Sequence, residues 1–342
     1  MRDDSRVRFG YGLITCQRYP GDARTDADLY REALDLAAFA EEVGFDSVWT
    51  SEHHFWDDAY APSLLPLCAA IAARTSRVTI GTGLLLAPMH HPIRLAEDAA
   101  VVDLISDGRF VLGLGHGWIP WELEAFGASM GDRPQRTETA IATCRRAWAG
   151  EEIDGVRVTP LPARPGGPPI WVGAIREPAV RRAARMADGW LGNHPGPDGL
   201  RTAVGWLRDE LESIERPPGE VEVAGYWPVF VDEDPGLAWA TVRDHHRYVE
   251  WKYDAAERKA RGGPPPAPPP TAPDDEAELR RAIICGTPDE VARSIVELAA
   301  AAGPELHFVA RLYWPGMGAD AMRAAARLFA ERVIPAVRAE VE

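Results

Sequence analysis

Along the chain a short apolar run, a loop and a stretch with apolar residues three and four apart recur in that order. RFGYGLITC, from Arg8 to Cys16, reads as a first strand. TDADLYREALDLAAFAEEVG then puts Leu29, Ala33, Leu36, Ala40 and Val43 on one helical face, with Gly44 as a stop. FDSVWTS predicts a second strand and residues 62–73 a second helix. VTIGTGLLLA is a third strand, followed by a helix from Pro92 to Gly108, with the proline at a favoured first position. RFVLGLGHG and a helix over 134–149 make the fourth unit.

After a polar interval the rhythm resumes with PPIWVGA and a helix over 177–187, then GWLGN and a helix to about residue 214. VEVAGYWPVFV and a helix over 236–259 come next. Thr287, Pro288 and Glu290 form a capping-box pattern ahead of the helix that leads to ELHFVARLYW and a terminal helix to about 338. Close to eight strands, each followed by a helix, favour one TIM (β/α)8 barrel domain over residues 1–342, with insertions. Gly81 and Gly83 interrupt the third strand, where glycine marks a bulge or a close approach of backbone. RGGPPPAPPPTAPDD, residues 261–275, reads as a mobile loop.

Composition narrows the class. The chain has 342 residues, 46% of them hydrophobic, enough for a substantial core, and a net charge of -15 at pH 7. That charge argues against a general nucleic-acid or anionic-membrane surface. Cys16, Cys68, Cys144 and Cys285 are scattered with no CxxC pair, so structural zinc and a disulfide scaffold are unfavoured. The start, MRDDSRVRFG, lacks the apolar run of a signal peptide, and a cytoplasmic protein is expected.

In such a barrel the working face is the C-terminal end of the strands. Glu52, His53 and His54 fall at the end of the second strand, and Met89, His90 and His91 after the third. His116, Trp118 and Trp121 follow the fourth. Trp171 and the turn 173–177 belong to the fifth, His194 follows the sixth, and Tyr313 and Trp314 end the eighth. His245 and His246 lie in a helix and read as solvated face residues. Neighbouring strand residues point to opposite faces, so His53 and His54 are poorly placed to bind one metal ion, and no carboxylate set ends the other strands. His54 serves equally well as a wall residue or a catalytic one; for His53 function is the stronger reading. Phe55, Trp56, Leu84, Leu85, Trp118, Ile119 and Trp121 suggest a flat apolar pocket for a planar ring.

GFDSVWTSEHHF, IGTGLLLAPMHHPIRLAEDAAVVDLISDGRFVLGLGHG, AFG, PPIWVGAIREPAVRRAARMADGW and GTPDEVARSIVELAAAA, taken in order, resemble the bacterial luciferase-like flavin monooxygenases over almost the whole chain. The resemblance implies an FMN-dependent enzyme that takes reduced flavin from a separate reductase and, with O2, oxidises a small apolar organic substrate through a C4a-peroxyflavin. It places Glu52, His53 and His54 on the family's Glu-His-His, with the first histidine beside the flavin. Gly83 and Leu84 fall on the bulge under the ring, usually with a non-proline cis peptide. His116 falls where a phosphate-side arginine stands, as a weaker, pH-dependent substitute. Gly173, Ala174, Ile175 and Arg176 fall on the phosphate loop, where backbone amides with Arg176 would carry the anion. Phe55, Trp56 and Trp118 would line the substrate pocket, and the Pro-rich segment would be the family's lid. The same resemblance leaves open a deazaflavin (F-420) hydride-transfer enzyme, which commonly has Asp-His at the second strand, and a non-catalytic flavin-binding subunit. A homodimer is expected from helices with exposed apolar positions.

Overall fold

The computed structural model describes residues 7–193, 196–264, 276–303 and 305–341. Eight strands form its centre: β1 Arg8–Ile14, β2 Ser47–Thr50, β3 Thr79–Thr82, β4 Phe110–Gly115, β5 Ile170–Gly173, β6 Gly189–Gly192, β7 Glu222–Val231 and β8 His307–Arg311. Each is parallel to its neighbours in chain order, and β8 pairs with β1 to close the barrel. The eight βα units expected from the chain's periodicity are those observed.

The helices owe their ends to local chemistry. In α1, Asp26–Val43, a capping box joins Thr25 and Asp28, and Gly44 closes the other end at a φ of 103°. Leu29, Ala33, Leu36 and Ala40 are buried against the barrel. The helix Pro288–Ala302 carries the expected box between Thr287 and Glu290. Replacing Thr287 with alanine should cost about 1 kcal/mol, read from the midpoint of denaturant unfolding.

Two cores result. The larger lies between the sheet and its helices and takes Phe308, Ala310 and Leu312 of and beyond β8. The smaller fills the barrel with Leu13, Trp49, Val111, Trp171, Leu191, Ala224 and Val309. Strand alternation therefore sends His307, Val309 and Arg311 inward. Trp49 and Trp171 stack with centroids 4.8 Å apart. They fit because the facing positions lack side chains: a Cβ on Gly81 would sit 2.3 Å from the Trp49 ring, and one on Gly189 2.4 Å from that of Trp171. Polar groups at the strand starts close the bottom. Ser47 Oγ accepts from Trp49 Nε1 at 2.8 Å and donates to His307 Nε2 at 2.6 Å. His307 Nδ1 then donates to Glu222 at 2.7 Å, and Glu222 pairs with Arg8. This set is self-satisfied at the N-terminal face, where such groups serve stability.

Four local expectations change. The third strand is not continuous: β3 stops at Thr82, the Gly83–Leu84 peptide is cis, and pairing with β4 resumes at Leu85–Leu86. From Gly81↔Val111 to Leu85↔Leu114, one strand advances by one residue more than its partner, which is a bulge. The polar interval contains a small hairpin, Glu152–Ile153 with Val156–Arg157. Trp171, Tyr313 and Trp314 are buried core residues rather than rim residues. His246 is fully buried, its Nε2 bonding Leu279 O at 3.1 Å, and His245 Nδ1 donates to Pro315 O at 2.8 Å. Neither is a solvated face residue, because Pro235–Ala260 packs that side against the barrel end. His194 and residues 265–275 of the Pro-rich segment lie outside the described residues.

Candidate functional site at the barrel mouth

Beyond β2 the chain turns over the C-terminal mouth of the barrel, and Glu122 organises that turn. This residue lies on the short helix Pro120–Ala125 after β4 and is fully buried. Its carboxylate accepts from His53 Nδ1 at 3.1 Å, the His54 backbone amide at 2.9 Å and Trp56 Nε1 at 3.0 Å. Three donors on one carboxylate hold the whole Glu-His-His turn. Since Glu122 can only accept there, Nδ1 of His53 carries the hydrogen and Nε2 is left for a ligand. Periodicity did not single out Glu122; only its place two residues into a helix beside a crowded loop hinted at it.

The two histidines part company as the strand geometry requires. His53 stacks on Trp56 at 4.5 Å and meets Tyr60, Tyr253 and Trp118 edge-on at 4.9, 5.5 and 6.1 Å. Tyr60 Oη donates to Ser51 and shares a hydrogen bond with Tyr253 Oη at 3.1 Å. His54 turns the other way, its Nε2 donating to Glu52 Oε1 at 2.9 Å, with Leu86 N at 3.4 Å from the same oxygen. Phe126 packs on His54, and Phe55 is 65% exposed, stacked on Phe126. Thus Trp56 and Trp118 join the His53 chamber, while Phe55 stands on the far side with His54. Tyr60 and Tyr253 complete that chamber, and the sequence offered no signal for them. Among the described residues, no three His, Cys, Asp or Glu side chains converge as a metal site.

The floor is the β3 bulge. Thr82 Oγ1 donates to Gly113 O at 2.7 Å and accepts from Gly113 N at 2.8 Å, replacing the interrupted ladder. Leu84 stands between glycines: a Cβ on Gly173 would meet it at 1.9 Å, and ones on Gly113 and Gly115 at 3.2 Å. Gly83 and Leu84 are therefore brought under the mouth together with Gly173.

At the β4–β5 side, His116 Nδ1 bonds Thr137 Oγ1 at 2.8 Å, and its buried Nε2 has no partner among the described residues. Burial pushes this imidazole down to about 4, and the Arg182 and Arg133 guanidiniums push the same way. A neutral His116 flanked by two arginines is not the pH-dependent cation expected near neutrality; Arg133 and Arg182 carry the charge. Arg133 also donates to Gly117 O, and Arg182 pairs with Glu138 at 2.7 Å. The turn after β5 is less free than expected, because Ala174 N donates to Leu191 O at 3.3 Å and Ala174 O accepts from Trp190. Pro178 removes a further amide from the start of the helix Glu177–Met186. Ile175 and Arg176 are exposed, and Arg176 makes no ion pair among the described residues.

Burial also lowers His246 to about 4. For both histidines the unfolded chain binds the proton first, so their contribution to stability is present above about pH 6.5 and lost as pH falls towards 4. A His116→Gln variant should show a flatter fall in Tm across that window than the parent chain.

Residues 7–305 match the family model described as luciferase-like monooxygenase. The oxygenase component of flavin-dependent trigonelline monooxygenase from Acinetobacter baylyi is 31% identical over 60% of this chain, which spans about 62% of that relative. An F420-dependent glucose-6-phosphate dehydrogenase from Nakamurella multipartita is 30% identical over 98% of both chains. The solved structure of monooxygenase RslO1 from Streptomyces bottropensis superposes with a TM-score of 0.82 at 26% identity, covering 96% of this chain and 99% of that one. No helix among the described residues is long and apolar enough to cross a membrane.

Proposed function

Because the chain belongs to the luciferase-like monooxygenase family, we propose that it is the oxygenase of a two-component system, using reduced FMN and O2 on a small organic substrate. The observation that carries this reading is His53, aimed by a buried carboxylate with Nε2 free and packed among aromatic rings at the barrel mouth. The residues fit a flavin. Gly113, Gly115 and Gly173 let the Leu84 side chain lie flat against the strands as an apolar platform, and the unpartnered His116 Nε2 with Arg133, Arg182 and Arg176 suits the phosphate end. When bound, the reduced flavin supplies the electrons and the site of reaction with oxygen.

The chain's own residues do the rest. Leu84, seated on Gly113 and Gly173, with Gly83 before it, would hold the flavin, and His53 Nε2 would accept or return a proton at its own ring nitrogen. Trp56, Trp118 and Tyr253 exclude water from the chamber. Glu52 and His54 hold the turn through Leu86. The Glu-His-His triplet favours FMN over a deazaflavin, and the relative from Acinetobacter is itself an oxygenase component, which supports a separate reductase. Exposed Val101, Leu104 and Ile105 on the helix Pro92–Ile105 suit a homodimer interface. A single barrel domain spanning residues 1–342 and a cytoplasmic setting complete the proposal.

A deazaflavin hydride-transfer reading is kept alive by the end-to-end likeness to the Nakamurella dehydrogenase. Anaerobic titration with reduced FMN and with reduced deazaflavin, followed by oxygen, separates the two. Tighter FMN binding with oxygen uptake is expected. Tight deazaflavin binding with no oxygen uptake would overturn the oxygenase reading.

A further inference from the structure

Arg311 ends β8 as the last inward-facing residue of that strand, 4% exposed, in the upper layer of the barrel. Its Nε and Nη2 have no hydrogen-bond partner among the described residues. These two nitrogens are neighbours on one edge of the guanidinium, the edge that takes a carboxylate with two parallel bonds. A buried, unpaired guanidinium is costly unless something completes it.

Polar groups from three neighbouring elements lie within reach of its charge. Tyr60 comes from the loop after β2, Tyr226 from β7, and His246, Glu250 and Tyr253 from the helix Pro235–Ala260; all five feel the Arg311 charge. The Trp314 ring lies 5.7 Å from the guanidinium carbon. Glu250 is the carboxylate of this group, yet it makes no ion pair with Arg311; the neutral His246 imidazole lies 3.8 Å from it. The Glu250 side chain is 47% exposed, so water screens it as a counter-ion. Tyr60 and Tyr253 also pack on His53, so the arginine and the histidine share these two tyrosines as neighbours.

The flavin phosphate does not account for this charge. His116, Arg133 and Arg182 cluster beside β4 and β5, and β8 lies across the barrel from β4 in the closed order of strands. We propose that Arg311 is the specificity residue for an anionic substrate, a small organic acid whose carboxylate takes the Nε–Nη2 edge and whose ring or chain lies among Trp56, Trp118 and Tyr253 towards His53. The assignment of that acid as substrate rests on the proposed function; its binding does not.

The test is therefore made without flavin. The purified protein is titrated with benzoate and with its neutral isostere benzamide, following tryptophan fluorescence. Benzoate should saturate the signal and benzamide should bind about 30-fold more weakly or not at all. Arg311→Gln should weaken benzoate by about 30-fold or more, as removal of one partner of a buried charged contact does. Arg311→Lys should keep part of the affinity, and Arg133→Gln should keep all of it. Equal binding of benzoate and benzamide, no saturation by benzoate, or loss in Arg133→Gln instead of Arg311→Gln would each overturn the proposal. Should Arg311→Gln fail to fold, the benzoate–benzamide contrast in the parent chain and in Arg311→Lys decides. Failure of the reduced-FMN titration leaves this result standing, so the two proposals fall separately.

Discussion

Replacing Glu122 with glutamine is expected to lower turnover of the reduced-flavin reaction by about 10²–10⁴-fold while leaving the fold intact. Glutamine has the same shape, and its amide oxygen can still accept from the His54 amide and Trp56 Nε1, which lie 2.9 and 3.0 Å from Glu122 Oε1. Its NH2 group, however, would take the place of Oε2, 3.4 Å from His53 Nδ1, so a donor would stand beside the Nδ1 hydrogen that the two carboxylate oxygens now share. The imidazole answers by moving its hydrogen to Nε2, so the nitrogen left for the ligand changes from acceptor to donor. The ¹⁵N shifts of the His53 ring report that tautomer directly, apart from any activity. His53→Ala should cost a similar factor, and the double variant little more, because the two residues act as a unit. Unchanged ring shifts with turnover within about 3-fold of the parent chain would remove Glu122 from its positioning role. Glu122→Ala is a different experiment: it strands three buried donors, each at about 1–3 kcal/mol, and its main result should be lost stability.

The second large effect is on folding. Gly113→Ala should destabilise the protein by about 3 kcal/mol or more, enough to lower Tm sharply or prevent accumulation of folded protein. Its Cβ would lie 1.9 Å from the Thr82 carbonyl oxygen, a backbone atom held by the bulge, so no side-chain rotation relieves it. Gly173→Ala makes a contact as short, but with Leu84 Cδ1, the free end of a flexible side chain. That variant should fold and lose flavin affinity instead, because the Leu84 platform must shift. Thermal melts and reduced-FMN titrations of the pair separate the roles; equal melts would mean that the bulge yields where its geometry says it does not.

The amino-acid sequence by itself determined the alternation of strand and helix, because apolar periods of two and of about 3.6 are local properties of a chain. It also determined helix ends such as Gly44 and the Thr287 box, where cap and capped residue are near neighbours. The Glu-His-His turn and the glycine-marked third strand were legible for the same reason, each being a contiguous run of unusual composition.

Tertiary structure alone decided the rest, because the groups concerned meet across closed strands. Glu122 stands 69 residues from His53, and nothing in its own short helix announces the partnership. Gly81 and Gly189 owe their identity to the rings of Trp49 and Trp171 on other strands. His246 looked solvated on its helix and became a core residue when that helix packed on the barrel end. Arg311 sits in a run, HFVAR, whose alternation a sequence can display, but only closure of the barrel shows which alternate set faces inward and that Nε and Nη2 there have no hydrogen-bond partner among the described residues. Burial and pairing are sums over the whole fold, and a linear pattern holds only the local part of them.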